Sequence, residues 1–116
     1  MRFGLPPLAI ERIQRVFAEF PEIEKATLYG SRATGTFNPG SDIDLTLFGA
    51  SLNSDLRAKI ASRLDDLLLP YTIDLSLYDE IAQGPLRDHI KRVGVNFYEQ
   101  TPPTSGRNTL SEEEFA

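Results

Sequence analysis

The chain has 116 residues, of which 41% are hydrophobic and 25% charged, and its 12 basic and 17 acidic residues give a net charge of −5. Such a chain is one ordinary globular domain, with enough apolar residues for a core but little room for a separate substrate domain. Its acidic balance provides no basic surface for long nucleic acid, and the absence of cysteine excludes disulfides and thiolate metal sites. No apolar run reaches membrane-spanning length and no signal-peptide pattern opens the chain, so we expect a cytoplasmic protein.

Helices and strands are predicted to alternate along the chain. Apolar residues recur at spacings of three and four where we predict helices, and proline or glycine marks most helix ends. Short apolar and β-branched runs between them predict strands. In chain order we expect a helix from Pro7 to Pro21, a strand over 25–29, a short helix from 31, a strand over 42–48, a helix from 53 or 54 to Pro70, a strand over 71–77, one helical turn over 79–83, a helix from Pro85 to Gly94 and an edge strand over 95–98.

The point where the first predicted strand ends is suited to binding an anion. The strand breaks at Gly30-Ser31, where glycine permits a tight bend and serine is a preferred helix N-cap. A strand that stops at a helix start presents free backbone N–H groups at the positive end of the helix dipole. These groups predict a phosphate site.

Two carboxylates follow on the next predicted strand. Asp42 and Asp44 lie two residues apart in the strand over 42–48, so their side chains point to the same face. The apolar residues that alternate with them point to the other face. Two carboxylates this close tolerate each other when a cation lies between them, which predicts a metal site beside the phosphate site.

The combined pattern resembles a known family. Gly30-Ser31, followed by ten residues and then Asp42-x-Asp44, is similar to the nucleotidyltransferase signature of the DNA polymerase beta superfamily. The similarity is greatest to its smallest members, the minimal nucleotidyltransferases often encoded beside a HEPN-domain protein. That family also has a third carboxylate on a later strand, which Asp74 matches. The resemblance covers residues 8 to 99 as an ordered series of elements.

The resemblance implies the nucleotidyltransferase fold. This fold belongs to the α/β (α+β) class, and here it would be a small mixed β-sheet flanked by about four helices and covered on one side. We expect the domain to span residues 1–100. Residues 101–116 are polar, proline-rich and acidic toward the end, so we expect them to form a disordered C-terminal tail.

The resemblance also assigns roles to the three carboxylates. Asp42 and Asp44 would hold two Mg²⁺ ions, and Asp74 would reach the ion on the acceptor side and help to deprotonate the acceptor hydroxyl. Mg²⁺ prefers carboxylate and phosphate oxygens, which agrees with three aspartates and neither histidine nor cysteine among the ligands.

The phosphate site would be formed by the turn after the first strand. Gly30 would let the backbone approach the β- and γ-phosphates of a nucleoside triphosphate, and Ser31 would add a hydroxyl and N–H donors. Arg32, in the matching position of the family's Gly-Ser-Arg run, would either contact phosphate or brace the turn.

We interpret His89 as a surface or capping residue, because no nucleophile accompanies it. Thr34 departs from the family, in which many members have a basic residue at this position.

The resemblance implies a function that needs a second protein. The leading hypothesis is a Mg²⁺-dependent adenylyltransferase that transfers AMP from ATP to a hydroxyl on a HEPN-type helical partner, as the antitoxin of a toxin–antitoxin pair. In the resembling proteins, some pairs transfer AMP to a tyrosine of an RNase toxin. Two alternatives remain open. One is a non-catalytic module that binds and neutralises a partner, and the other is a small-molecule nucleotidyltransferase whose acceptor pocket is shared with a partner.

Overall fold

Residues 1–100 are described by a computed structural model, and they form a four-stranded sheet with four α-helices around it. The tail predicted over 101–116 lies outside the described residues, so the predicted domain boundary stays a prediction. In chain order the elements are α1 (Pro7–Ala18), β1 (Lys25–Tyr29), α2 (Ser31–Thr34), β2 (Ile43–Phe48), α3 (Ser54–Asp65), β3 (Ile73–Leu77), a 3₁₀ turn (Tyr78–Glu80), α4 (Pro85–Val93) and β4 (Val95–Glu99). The predicted fold class, a small mixed sheet flanked by about four helices, is confirmed.

The sheet has the first two strands at its centre. Its order is β3-β2-β1-β4, in which β1 is antiparallel to both neighbours and β2 is parallel to β3. Parallel strands need a crossover connection, which α3 supplies here. As a result, the end of β1 and the beginnings of β2 and β3 lie side by side at one end of the sheet.

One face of the sheet carries the hydrophobic core. Helices α1 and α3 pack on this face, and the alternation of apolar residues along the strands explains why the core lies there. Asn53 begins α3 as its N-cap, since its Oδ1 accepts the N–H of Leu56 at 2.8 Å. The core side chains include Ile13, Phe17, Ala26, Leu28, Ile43, Leu45, Leu47, Ile60, Leu75, Leu77 and Phe97.

The opposite face of the sheet is covered in part by α4. Thr27 alternates with the core residues of β1 and therefore points to this face, where a Cβ on Gly94 would lie 2.7 Å from the Thr27 methyl group. Ile90 of the same helix is 4% exposed. The expectation that the sheet is covered on one side is therefore wrong, because the apolar side of α4 packs on β1 from the other side.

The predicted α1 and α3 are longer than the observed helices. α1 ends at Ala18 and α3 at Asp65, several residues before the prolines expected to close them. After α3, Leu68 adopts a φ of 55°, a left-handed conformation that stops a helix before any proline is needed. No helix within residues 1–100 is both long enough and apolar enough to span a bilayer.

Candidate active site

Two of the three predicted carboxylates are direct neighbours. Asp44 of β2 and Asp74 of β3 are partners in the register of the parallel pair, on the face of the sheet that α4 partly covers. Asp42 lies immediately before β2, rather than within it as predicted, and it is exposed. Burial raises the pKa of Asp44, and the charges of Asp74 and Asp42 raise it further. The structure therefore brings all three carboxylates close enough to interact.

The chemistry of this group fits a hard cation. Within residues 1–100 the side chains, as they stand, do not gather three His, Cys, Asp or Glu groups into a closed metal-binding cluster. The donors are nevertheless all carboxylate oxygens, which suit Mg²⁺. Burial is the main cause of the raised pKa of Asp44, and the charges of Asp74 and Asp42 add to it; a cation would relieve this added repulsion. Mg²⁺ commonly completes its coordination with water and substrate phosphates, so a few protein ligands suffice.

The turn after β1 presents unpaired amides beside these carboxylates. Gly30 has a φ of 75° and a ψ of −158°, and its carbonyl accepts the N–H groups of Ala33 and Thr34 to begin α2. The amides of Ser31 and Arg32 have no acceptor in the part of the chain that the structure describes. They occupy the first turn of a helix, where N–H groups point outward and attract anions.

Arg32 braces this turn from behind. Its side chain is 2% exposed, and its guanidinium donates to the carbonyl oxygens of Ser41 at 2.9 and 3.1 Å and of Phe3 at 2.9 Å. Longer bonds of 3.4 Å reach Gly4 and Pro39. The rings of Phe37 and Tyr71 each lie 5.3 Å from the guanidinium carbon. Of the two roles left open for Arg32, these contacts favour bracing, because its donors already point at backbone carbonyls.

A cavity of about 770 Å³ opens beside Arg32 and does not belong to the carboxylate group. It is lined mainly by the N-terminal segment, α2 and the loop after α2, and its aromatic lining comes from Phe3, Phe37 and Tyr71. None of the three aspartates lines it. The volume of this cavity therefore does not identify the candidate site. We place that site at the carboxylates and the turn.

The sequence model of the family described as polymerase beta, nucleotidyltransferase matches residues 11–102. The chain belongs to the polymerase beta nucleotidyltransferase family. This match confirms the family predicted from the Gly30-Ser31 and Asp42-x-Asp44 motifs. It covers most of the chain, from within α1 to beyond the end of β4.

Solved structures share the nucleotidyltransferase fold. A chain from a crystal structure of a toxin–antitoxin complex with AMP-PNP matches with a TM-score of 0.65 and 22% identity, over 78% of this chain and 73% of that chain. A chain from the complex of tri-AMPylated Shewanella oneidensis HEPN toxin with an MNT antitoxin gives 0.60 and 20%, over 80% and 71%. A candidate nucleotidyltransferase from Sulfolobus solfataricus gives 0.52 and 26%, over 80% and 78%. No curated protein sequence matches significantly.

In this polymerase beta nucleotidyltransferase, two residues that the motifs do not include lie beside the turn, Tyr29 and His89. The N–H of Gly30 donates to Nε2 of His89 at 3.2 Å, and the His89 ring packs edge-on against Tyr29 at 6.2 Å. Burial raises the pKa of Tyr29, the neighbouring Ser76 hydroxyl acts in the opposite direction, and the charges of Asp74 and Asp44 raise it further. His89 is thus partly buried at the turn, whereas we interpret it from sequence as a surface or capping residue. No spacing rule joins two residues that are 59 positions apart.

Proposed function

We propose that this protein is a Mg²⁺-dependent adenylyltransferase that transfers AMP from ATP to a hydroxyl on a HEPN-type partner protein and thereby acts as an antitoxin. The observation that carries the proposal is the pairing of Asp44 with Asp74, directly beside a turn whose Ser31 and Arg32 amides have no acceptor within residues 1–100. A phosphate site and a carboxylate group in contact are what phosphoryl chemistry on a nucleoside triphosphate requires.

The proposed reaction is a single displacement at the α-phosphorus. The acceptor hydroxyl oxygen forms a bond to this phosphorus while the bond to the bridging oxygen of the β-phosphate breaks, so pyrophosphate leaves with that oxygen. Asp74 accepts the hydroxyl proton, and the turn holds the β- and γ-phosphates through the Ser31 and Arg32 amides. Asp42, Asp44 and Asp74 would hold Mg²⁺, which when bound neutralises phosphate charge and increases the acidity of the hydroxyl.

A protein acceptor is supported by the complexes in which the solved relatives are found. Two of them are toxin–antitoxin complexes, one with AMP-PNP and one with an AMPylated HEPN toxin. Among residues 1–100, the carboxylates and the turn account for the metal and the phosphates, and the acceptor hydroxyl is assigned to none of these residues. A partner that brings its own hydroxyl to the open end of the sheet would complete the site.

The test is transfer of label from α-labelled ATP with Mg²⁺ to a HEPN-type protein encoded beside this chain, followed by mass analysis of both proteins. We expect one or more AMP units on the partner. The double variant Asp42→Asn/Asp44→Asn should lose at least about 100-fold in rate, as expected when metal ligands are removed. The variant Asp65→Asn removes an exposed carboxylate at the end of α3 and should transfer at the wild-type rate.

The outcomes separate the three functions considered from sequence. A stable complex without transfer, with toxicity still neutralised by the Asp42→Asn/Asp44→Asn protein, would replace the proposal with a non-catalytic binding module. Transfer to a small hydroxyl compound in the absence of any partner would indicate a small-molecule nucleotidyltransferase. Full transfer by the double variant would contradict the assignment of these carboxylates.

A further inference from the structure

The only histidine of the chain, His89, connects α4 to the turn at Gly30, Ser31 and Arg32, which we call the phosphate turn. The Gly30 amide donates to Nε2 of His89 at 3.2 Å, although the two residues are 59 positions apart. The next two amides of the turn, those of Ser31 and Arg32, have no acceptor among residues 1–100. The turn therefore has one amide fixed by a side chain and two that remain available to a ligand.

The His89 ring also packs on β1, next to the turn. Tyr29, a buried residue of β1, packs against it edge-on with an interplanar angle of 80°. The next residue of α4, Ile90, is buried, which anchors the helix on β1. A neutral imidazole that accepts through Nε2 has its proton on Nδ1, so the contact also specifies one tautomer.

We propose that His89 is a positioning residue of the nucleotide site: by holding the Gly30 peptide, it keeps the Ser31 and Arg32 amides directed at the phosphates. This inference rests on the proposed function, because a nucleoside triphosphate is the anion which that function requires. His89 then contributes to affinity without touching the reacting atoms.

The physical reason is the conformational freedom of glycine. At a φ of 75°, the Gly30 backbone occupies one of many conformations open to a residue without a Cβ. A hydrogen bond to a rigid ring selects this conformation before the ligand arrives. Without that bond the arriving phosphates must order the peptide themselves, and the cost reduces the affinity.

If His89 hindered nucleotide binding, its removal would change the affinity in the opposite direction. If His89 instead occupied an amide that the phosphates need, nucleotide would have to displace the ring, and removal of the ring would increase affinity. The two available amides favour positioning, because a ligand can reach them while Gly30 stays bonded to His89.

The experiment compares four proteins by calorimetric titration with AMP-PNP and Mg²⁺. They are the wild type, His89→Gln, His89→Asn and Lys91→Gln. The glutamine amide reaches about as far as Nε2 and supplies an acceptor, whereas the shorter asparagine amide ends near Nδ1 and cannot reach the Gly30 amide. Lys91 is exposed on the same helix and serves as a control for changes to α4.

We expect His89→Asn to raise the Kd about tenfold, which is about 1.4 kcal/mol. His89→Gln should stay within about threefold of the wild type, and Lys91→Gln should be unchanged. Thermal unfolding of the nucleotide-free proteins separates positioning from general stability, because a structural role would lower the melting temperature of His89→Asn and leave its Kd unchanged. The amide proton of Gly30 should also shift in the NMR spectrum of His89→Asn and not in that of Lys91→Gln.

Each other result overturns the inference or the function separately. Tighter binding by His89→Asn, or equal affinity of all four proteins, would exclude positioning while leaving the transfer reaction intact. A wild type that binds AMP-PNP in a His89-dependent way but transfers nothing to the partner would remove the proposed function and keep the positioning role. A wild type that binds no nucleotide would remove both.

Discussion

Gly30 and Asp44 are so close that the space a Cβ would occupy on Gly30 already holds the Oδ2 atom of Asp44. The contact follows from the sheet, because Tyr29, the last residue of β1, pairs with Asp44 across the antiparallel strands. Gly30 is the next residue, and its positive φ turns the chain over the carboxylate. The absence of a side chain at this position sets the separation between the turn and Asp44, and with it the separation between the proposed phosphate and metal sites.

Replacement of Gly30 by alanine is expected to abolish transfer. The new Cβ must displace Asp44, and a misplacement of about 1 Å at reacting groups costs on the order of 100-fold in rate. Gly35→Ala is the matched control, since Gly35 also has a positive φ, of 85°, but has no atom within 4 Å of an added Cβ. Gly35→Ala should lose about 1–2 kcal/mol for its left-handed backbone, and Gly30→Ala should lose more, because a φ of 75° with a ψ of −158° is a conformation that almost only glycine adopts. Denaturant unfolding and initial rates, measured on both variants, would separate the loss of stability from the loss of rate. Similar rates for the two variants would show that the Gly30–Asp44 contact is unimportant.

Arg32→Lys is expected to destabilise the protein rather than to weaken nucleotide binding selectively. Lysine keeps the charge but cannot reproduce the planar set of donors that Arg32 directs at the carbonyls of Phe3 and Ser41. We expect the free energy of unfolding to fall by about 2–4 kcal/mol, measured by urea denaturation. Arg12→Lys, on the exposed side of α1, should change it by less than about 0.5 kcal/mol. Wild-type stability combined with reduced nucleotide affinity would instead support a phosphate contact.

The stability of the metal-free protein should depend on the protonation of Asp44. Because burial and the neighbouring charges of Asp74 and Asp42 raise its pKa, the native state binds more protons than the unfolded state between the ordinary and the raised pKa. The contribution of this group to the free energy of unfolding is therefore greatest below that interval and decreases as the pH rises through it. Asp44→Asn should flatten this part of the stability profile and increase the melting temperature at neutral pH. An unchanged profile would contradict the crowding of the carboxylates.

Mg²⁺ should reverse the loss of stability that ionisation of Asp44 causes. A cation bound by ionised Asp44 and Asp74 stabilises the native state by mass action, by about 2.7 kcal/mol at a concentration 100 times the Kd. We expect melting temperatures at neutral pH to increase with Mg²⁺ in the wild type and in Asp65→Asn, but not in Asp42→Asn/Asp44→Asn. Addition of a chelator should return the wild type to its metal-free value. An equal response in all three proteins would point to a metal site elsewhere.

Thr46→Val is expected to stabilise the protein. Thr46 is fully buried in β2, and its hydroxyl has no hydrogen-bond partner among residues 1–100. Valine has nearly the same shape without the unpaired hydroxyl, so the free energy of unfolding should increase by about 1–2 kcal/mol. The transfer rate should stay within about twofold of the wild type, since Thr46 has no role in the proposed reaction. A loss of stability would indicate that the hydroxyl has a buried partner, such as an ordered water.

The elements with clear local signals were predictable from the sequence. Helix α4 begins at Pro85 and ends beside Gly94, as expected, and the strand over 25–29 has the predicted bounds. Local rules failed where a helix stops without proline. The left-handed Leu68 has no signature in the sequence, because the positive φ of a leucine reflects tertiary packing rather than its own preference.

The site was predictable as far as its parts lie close together in the sequence. The Gly30 turn and the closeness of Asp42 to Asp44 follow from spacing, whereas Asp74 was identified through the family resemblance. The two roles considered for Arg32 differ only in where a long side chain points. His89 was beyond prediction for a related reason. Its partner is an amide on another element, and only the packing of α4 across the second face of the sheet brings them into contact.

The parallel pairing of Asp44 with Asp74 also determines when the site can form during synthesis. Gly30 and Asp42 are brought together by the antiparallel neighbours β1 and β2, which an emerging chain can pair early. Asp74 joins them only after α3 has closed the crossover between β2 and β3. His89 emerges later still, on α4. Under the proposed roles, an incomplete chain on the ribosome would therefore lack both the carboxylate that accepts the proton and the ring that orders the turn.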